Sequence, residues 1–148
     1  MVIREAESRD AADLRELYFR YLTKNPPREE QDMNEWARRI EEFQKDERIH
    51  LLVAEEDGRA VATVHLTVVQ GLTHNLRPFA VIESVVTHVD YEGRGLGSAL
   101  LAKATEIAAE HNCYKIMLET FSSEERTLNF YRRNGFTVDA KHSCIKWL

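Results

Sequence analysis

The sequence predicts a single α+β domain of about seven strands, in the order β-α-α-β-β-β-α-β-α-β-β. Three observations support this class. Apolar residues recur at helical spacing in two segments near the N-terminus, and β-branched runs follow them. One run, residues 79–89, is apolar on both faces, which is typical of a strand in a sheet covered on both sides. A length of 148 residues fits one compact domain, residues 1–148.

The first third of the chain predicts one strand and two helices. Residues 2–6 have a strand-like composition, and Ser8 stands where it can cap the helix that follows. Pro26 interrupts the helical spacing, which resumes over residues 32–45. Two helices therefore precede the main part of the sheet.

The middle of the chain predicts three strands. Residues 50–55 and 59–69 are β-rich, and Asp57-Gly58 between them is a hairpin signal. Residues 71–78 are polar and form a loop of undefined shape before the third strand, residues 79–89.

The last third predicts two helices and three strands. A helix over residues 96–111 precedes a strand over residues 114–120, and a further helix runs to Arg133, with Gly135 as its terminating glycine. The sequence then predicts two closing strands, at residues 136–139 and 143–147.

The charge and cysteine content exclude several classes of protein. The net charge is −5, from 25 acidic and 20 basic residues, which argues against a nucleic-acid-binding face. The apolar runs are far shorter than the roughly 20 residues that span a bilayer, so no membrane association is expected. Two cysteines without metal-like spacing predict no metal site and a reducing, cytoplasmic location.

The most informative segment is a turn with three glycines at alternate positions, Gly93, Gly95 and Gly97, between a strand and a helix. Alternate glycines let backbone N–H groups converge, and the first N–H groups of a helix lack internal partners and carry partial positive charge. Arg94 adds a full charge. The pattern favours a diphosphate site over a merely tight turn.

Two common phosphate motifs do not fit this turn. A nucleotide P-loop needs Gly-Lys-Ser/Thr, which is absent, and the dinucleotide fingerprint needs a glycine where Ser98 stands.

A third motif fits. Glu92-Gly93-Arg94-Gly95-Leu96-Gly97 resembles the acetyl-CoA-binding motif of the GNAT superfamily, Gln/Arg-x-x-Gly-x-Gly/Ala, and residues 113–118 and 129–136 resemble the family's next strand and helix. The resemblance implies a GNAT-type single domain with a mixed, mostly antiparallel sheet and helices on both faces. It also implies an N-acetyltransferase that uses acetyl-CoA on a primary amine of a small molecule, in a family where homodimers are common.

The resemblance implies a set of cofactor-binding residues on the central strand and on the turn. These are Val85, Val86, Thr87, Glu92, Gly93, Arg94, Gly95, Leu96, Gly97 and Ser98. Two positions depart from the family pattern. Glu92 replaces Gln or Arg beside the diphosphate, and Glu124 replaces a frequent asparagine. These departures support an alternative function, a non-catalytic acyl-CoA-binding regulatory module.

Glu83 is the candidate general base. It interrupts an apolar run, where alternation aims it at a layer held by Val81 and Val85, and partial desolvation would raise its pKa. Relatives often place a catalytic Glu on this strand. The alternative is a structural carboxylate, bonded to a loop or paired with a residue such as Arg77.

Tyr131 is the candidate general acid. A phenol is protonated at neutral pH and can donate to a thiolate, and the resemblance places this tyrosine near the cofactor sulfur. The alternative is a core aromatic. The backbone N–H of Val86 or a neighbour is expected to polarise the acetyl carbonyl.

Several further side chains are weaker candidates for substrate contacts. His74, Asn75 and Arg77 could line the substrate pocket, whereas Tyr18 and Trp36 are better explained as a helical packing stripe.

Overall fold

The computed structural model describes all residues, 1–148, as two compact units, Met1–Met117 and Leu118–Leu148. The first unit opens with strand β1 (Val2–Glu5), a 3₁₀ turn (Ser8–Asp10) and helix α1 (Ala11–Glu16), which continues as a π-helical segment (Leu17–Leu22). Helix α2 (Met33–Lys45) follows, as predicted.

The remaining elements complete a five-stranded sheet. They are β2 (Ile49–Glu56), β3 (Arg59–Val69), the single turn α3 (Thr73–Leu76), β4 (Phe79–Thr87), a 3₁₀ turn (Val89–Tyr91), α4 (Leu96–Glu110), β5 (Ile116–Leu118) and α5 (Glu125–Arg133). Spatial order equals chain order, β1-β2-β3-β4-β5. The first four strands are antiparallel, and β5 runs parallel to β4, as the bonds from Tyr114 N–H to Pro78 O and from Ala80 N–H to Lys115 O show.

The chain forms its N-terminal elements through local hydrogen bonds. Glu7, not Ser8 as predicted, caps the first helical turn, because its backbone N–H donates to the Asp10 carboxylate. The Asp32 side chain accepts from Asn34 N–H and starts α2, after the proline-containing stretch.

Helices cover both faces of the sheet, as the sequence predicts. On one face, α2 packs on β2 and α1 packs on β3, through a cluster that includes Leu14, Ile40, Leu51 and Val53. On the other face, α4 packs on β2, β3 and β4 through its buried residues, such as Leu100 and Ala104. Tyr18 and Trp36 pack against the first cluster, and their rings lie 6.2 Å apart, so the packing interpretation of both is confirmed.

The two closing strands predicted at residues 136–139 and 143–147 are wrong. The last strand is β5, and no residue after Gly135 lies in a helix or strand. Asp139 has a left-handed φ of +59°, and Ile145 and Trp147 are exposed, so these residues gain no burial that would favour a strand. The predicted helix ending at Arg133 and its terminating Gly135, with φ of +86°, are confirmed.

Candidate active site

The glycine turn forms an open end to α4. Gly93 and Gly95 have φ of +75° and +80°, which residues with a Cβ atom rarely adopt, and a Cβ built on either would meet no atom within 4 Å. The bond from Ala99 N–H to Gly95 O (3.0 Å) is the first of the helix, so the N–H groups of Leu96, Gly97 and Ser98 precede the helical ladder. This arrangement fits a diphosphate, because the helix end is electropositive and no side chain stands at Gly93 or Gly95.

Arg94 and Glu92, the two charged residues of the motif, make hydrogen bonds within the protein. The Arg94 guanidinium donates to Asp90 O (3.0 Å) and Glu56 Oε2 (3.4 Å) and lies over the Tyr91 ring, 4.8 Å from its centre. The Glu92 N–H donates to Val89 O (3.3 Å), so it is not among the open donors of the turn. The Arg94 side chain must leave these contacts in order to reach a phosphate.

Strand β4 contains a β-bulge that sequence reasoning missed. The register pairs Thr63 with Val86 and His65 with Glu83, so two β4 residues, Ser84 and Val85, stand opposite one β3 residue. Ser84 has a φ of +55°, which is rare for a residue with a side chain. The bulge reverses the alternation, so that Val86, rather than Val85 as predicted, lies on the same face as Glu83.

The C-terminal end of β4 has an open edge. Tyr114 is level with Pro78, and β5 ends four residues later, at Leu118. Because the two strands rise by a similar distance per residue, residues 85–87 of the chain lie beyond the end of β5. Val85, Val86 and Thr87, which the resemblance implies as cofactor-binding residues, therefore offer main-chain groups next to the bulge.

Glu83 is exposed and makes no hydrogen bond or ion pair. The predicted desolvation is therefore absent, because the carboxylate lies in contact with water. The alternative, a structural carboxylate paired with Arg77, is also not observed. Arg77 donates instead to Asn112 O and Cys113 O, each at 3.1 Å. A free carboxylate on the open face of β4 can accept a proton directly or through a water molecule.

His65 is the cross-strand neighbour of Glu83 and holds an unpaired polar atom. Its Nε2 atom is buried and has no hydrogen-bond partner, and its ring lies 5.2 Å from that of Phe43. Burial lowers the pKa of His65, so the neutral imidazole is favoured.

A tyrosine–histidine pair adjoins the end of β4, and no local sequence pattern predicts it, because its members are 67 residues apart. Tyr21 Oη lies 3.0 Å from His88 Nε2. Asp90 N–H donates to His88 Nδ1 (3.2 Å), which makes Nδ1 an acceptor and leaves Nε2–H to donate to the tyrosine. The pair thus ties the π-helical segment to the turn that leads into Gly93.

Tyr131 lies in the second unit, on α5. Its ring is buried and contacts the rings of Phe130 (5.1 Å) and Phe136 (6.0 Å). Its hydroxyl makes no hydrogen bond, and burial raises the pKa of Tyr131, so the phenol keeps its proton at neutral pH. Glu124 is exposed and is the N-cap residue of α5.

The loop before β4 is more ordered than the sequence predicts. His74, Asn75 and Leu76 have left-handed φ values of 54°, 59° and 63°. The His74 ring stacks on Tyr114 with centres 3.7 Å apart and planes 12° apart. The turn is thereby fixed against the start of β5.

The structure contains neither a candidate metal cluster nor a candidate membrane-spanning helix. No group of three or more His, Cys, Asp or Glu side chains is arranged to hold a metal ion. None of the helices combines the length and the apolar character needed to cross a membrane.

Comparisons with known proteins agree on one family. The sequence profile of the acetyltransferase (GNAT) family matches residues 11–136. A solved structure from Agrobacterium tumefaciens, provisionally named an acetyltransferase, is 33% identical, has a TM-score of 0.88 and is matched over 99% of this chain and 100% of its own. A transcriptional regulator from Bacillus halodurans is 29% identical, with a TM-score of 0.83 and 99% of both chains covered.

Relatives compared by sequence match over a shorter range. Glucosamine 6-phosphate N-acetyltransferase of Trypanosoma brucei brucei is 38% identical over 79 residues, which are 53% of this chain and 52% of the relative. The chain spans about half the length of the curated relatives it matches. The profile match covers most of the chain and includes both the glycine turn and Tyr131, so this chain belongs to the GNAT acetyltransferase family.

Proposed function

We propose that this protein is an N-acetyltransferase that transfers an acetyl group from acetyl-CoA to the primary amine of a small molecule, by direct attack in a ternary complex. The observation that carries the proposal is the glycine turn, where the N–H groups at the start of α4 have no hydrogen-bond partner in the protein and Gly93 and Gly95 leave room beside them. Coenzyme A has a diphosphate to place there, and β4 offers a free edge to its pantetheine arm.

Different residues of this chain carry out the separate steps of the reaction. Bound acetyl-CoA supplies the activated acetyl thioester. A lysine-like amine has a pKa of about 10.4, so a proton must leave before it can react at neutral pH, and the exposed Glu83 carboxylate accepts that proton. A backbone N–H beside the bulge, at Val86 or a neighbour, polarises the acetyl carbonyl. The Tyr131 hydroxyl then donates a proton to the leaving sulfur.

The amine is proposed to belong to a small molecule because named relatives act on such compounds, among them glucosamine 6-phosphate and streptothricin. We further propose a cytoplasmic location, in keeping with the two free cysteines, and assembly as a homodimer, which is common in this family.

A second function, an acyl-CoA-binding regulatory module without catalysis, is favoured by one comparison. The Bacillus halodurans relative carries the name of a transcriptional regulator. Glu92 and Glu124, the departures from the family motif, support it as well.

Calorimetry with acetyl-CoA, combined with release of free thiol over a panel of polyamines, amino sugars, amino acids and peptides, tests both functions. The enzyme binds the cofactor and releases thiol with at least one amine. Binding without turnover over the whole panel would favour the regulatory module, and no binding at low salt would remove both.

A further inference from the structure

The two faces of the sheet are covered unequally at β3 and β4. On the α4 face, Leu66, Val68, Ala80 and Ile82 are almost fully buried. On the opposite face every second residue is only half-buried. These residues are His65, Thr67, Val69, Phe79 and Val81, and they lead to the exposed Glu83. The N-terminal half of β4 therefore presents an open, mostly apolar floor beside the candidate base.

Lys115 lies at the far end of this floor. Its Nζ atom is 5.4 Å from the ring centres of both Phe79 and Tyr114, which places the side chain on the Phe79 face of the sheet. The side chain is half-buried and has no hydrogen bond or ion pair. Lys103, in contrast, is paired with Glu106 at 3.1 Å.

An ammonium that is partly removed from water without a carboxylate partner is costly, and two aromatic rings offset only part of that cost. A bound anion would supply the missing partner. His74 stacks on Tyr114, and Arg77 is anchored on backbone carbonyls, so the group around Lys115 is held in place without the help of a ligand.

The separation between Lys115 and Glu83 suits a small bifunctional molecule. Phe79, beneath the ammonium, and Glu83 are four residues apart on one strand, which is about 13 Å at a rise of about 3.3 Å per residue. Glu83 and Phe79 lie on the same face of β4, so a ligand of about 1 nm can span the distance between the carboxylate and the ammonium.

We propose that Lys115, Phe79, Tyr114 and His74 form an anion subsite, and that the acceptor carries a phosphate or carboxylate bound there and a primary amine directed to Glu83. This inference rests on the proposed acetyltransferase function. It narrows the acceptor from any small amine to an amine with an anionic group at the opposite end.

The test compares matched acceptors in Lys115→Met, a neutral side chain of similar length. The phosphate pair is glucosamine 6-phosphate and glucosamine, and the carboxylate pair is 6-aminohexanoate and hexylamine. In the wild type the anionic member has the higher kcat/KM, and Lys115→Met reduces that preference about 10- to 100-fold, as for loss of a charge-assisted contact. Lys115→Arg retains part of it, and Lys103→Met retains all of it.

A binding measurement separates this inference from the function on which it rests. Glucose 6-phosphate has no amine, so its calorimetric binding in the presence of coenzyme A reports the anion subsite alone. Loss of this binding in Lys115→Met supports the subsite even if no amine is acetylated. The subsite would be overturned, and the function left intact, if two results occurred together. Lys115→Met would acetylate amines with the wild-type preference for anionic acceptors, and it would bind glucose 6-phosphate as the wild type does. If Lys115→Met reduces the preference in the carboxylate pair as much as in the phosphate pair, the subsite binds anions in general.

Discussion

At the scale of single residues, Glu83 and Tyr131 are suited to opposite proton transfers by opposite surroundings. The Glu83 carboxylate is in water and unpaired, whereas burial raises the pKa of the Tyr131 phenol. The sequence singles out both residues as candidates but predicts a desolvated Glu83, whereas the structure exposes that side chain. Solvent exposure at that position depends on how far α1 and α2 extend over β4, which no local pattern reveals.

Glu83→Gln removes the proton acceptor without changing side-chain size. We expect kcat/KM to fall about 100-fold or more at neutral pH, the usual contribution of a positioned base, and the acidic limb of the pH–rate profile to disappear. Calorimetric affinity for acetyl-CoA should stay unchanged. Glu106→Gln, on the outer side of α4, is the control and keeps the wild-type profile; an unaltered profile in Glu83→Gln would exclude the residue as the base.

Tyr131→Phe removes one hydroxyl that makes no hydrogen bond within the protein, so the midpoint of thermal unfolding should change little. If that hydroxyl protonates the leaving sulfur, kcat falls about 100-fold while the dissociation constant of acetyl-CoA is retained. Steady-state kinetics and calorimetry measure the two quantities. Wild-type kcat in this variant would restrict Tyr131 to packing against Phe130 and Phe136.

At the scale of elements, the sequence predicts repetitive structure well and interruptions poorly. The glycine turn was predictable because Gly93 and Gly95 supply left-handed angles that other residues avoid. The bulge at Ser84 was not, because serine carries no signal for a positive φ and only cross-strand register reveals it. The closing strands were predicted from composition alone, and composition does not supply a partner strand.

Gly95→Ala tests whether the turn binds the cofactor, and Gly58→Ala is its matched control. Both glycines have nearly the same φ, +80° and +79°, and both have free space where a Cβ would stand. Each substitution should therefore lower the free energy of unfolding by a similar amount, about 1–2 kcal/mol, through backbone strain alone. Calorimetric affinity for coenzyme A should fall only in Gly95→Ala. Equal affinity in the two variants would contradict the phosphate-binding role of the turn.

At the scale of the whole molecule, one buried ion pair ties the first helical turn, through Asp10, to strands β1 and β2. Arg4 donates to both carboxylate oxygens of Asp10, at 2.7 and 2.8 Å, and contacts Glu55 at 2.6 Å. Burial acts to raise the pKa of Asp10, but the hydrogen bonds from Arg4 and from Glu7 N–H outweigh it and lower that pKa. The charged carboxylate thus stabilises the fold at neutral pH.

Asp10→Asn should lower the free energy of unfolding by about 3 kcal/mol at pH 7, because it leaves the half-buried Arg4 without its main partner. A group whose pKa is lowered by folding contributes in full above its unfolded pKa of about 3.9, and the contribution is lost as the pH falls through the lower folded value. Urea unfolding at pH 7 and pH 2 should show the gap between wild type and variant closing in acid.

The exposed ion pair between Arg39 and Glu42 provides the control, and Glu42→Gln should leave the unfolding curve nearly unchanged at either pH. A gap for Asp10→Asn that is constant from pH 7 to pH 2 would show that the loss arises from packing and not from charge.

The uneven covering of the sheet has a consequence for the dynamics of the chain. Near Phe79, β3 and β4 are covered by a helix on one side only, so solvent reaches them from the other side. Local opening there should therefore cost less free energy than in the fully enclosed part of the sheet near Leu52. A molecule bound on the bare side would act as a temporary third layer. Amide hydrogens of residues 65–69 and 79–83 would then exchange more slowly in the presence of acceptor, while those of β1 and β2 would keep their rates.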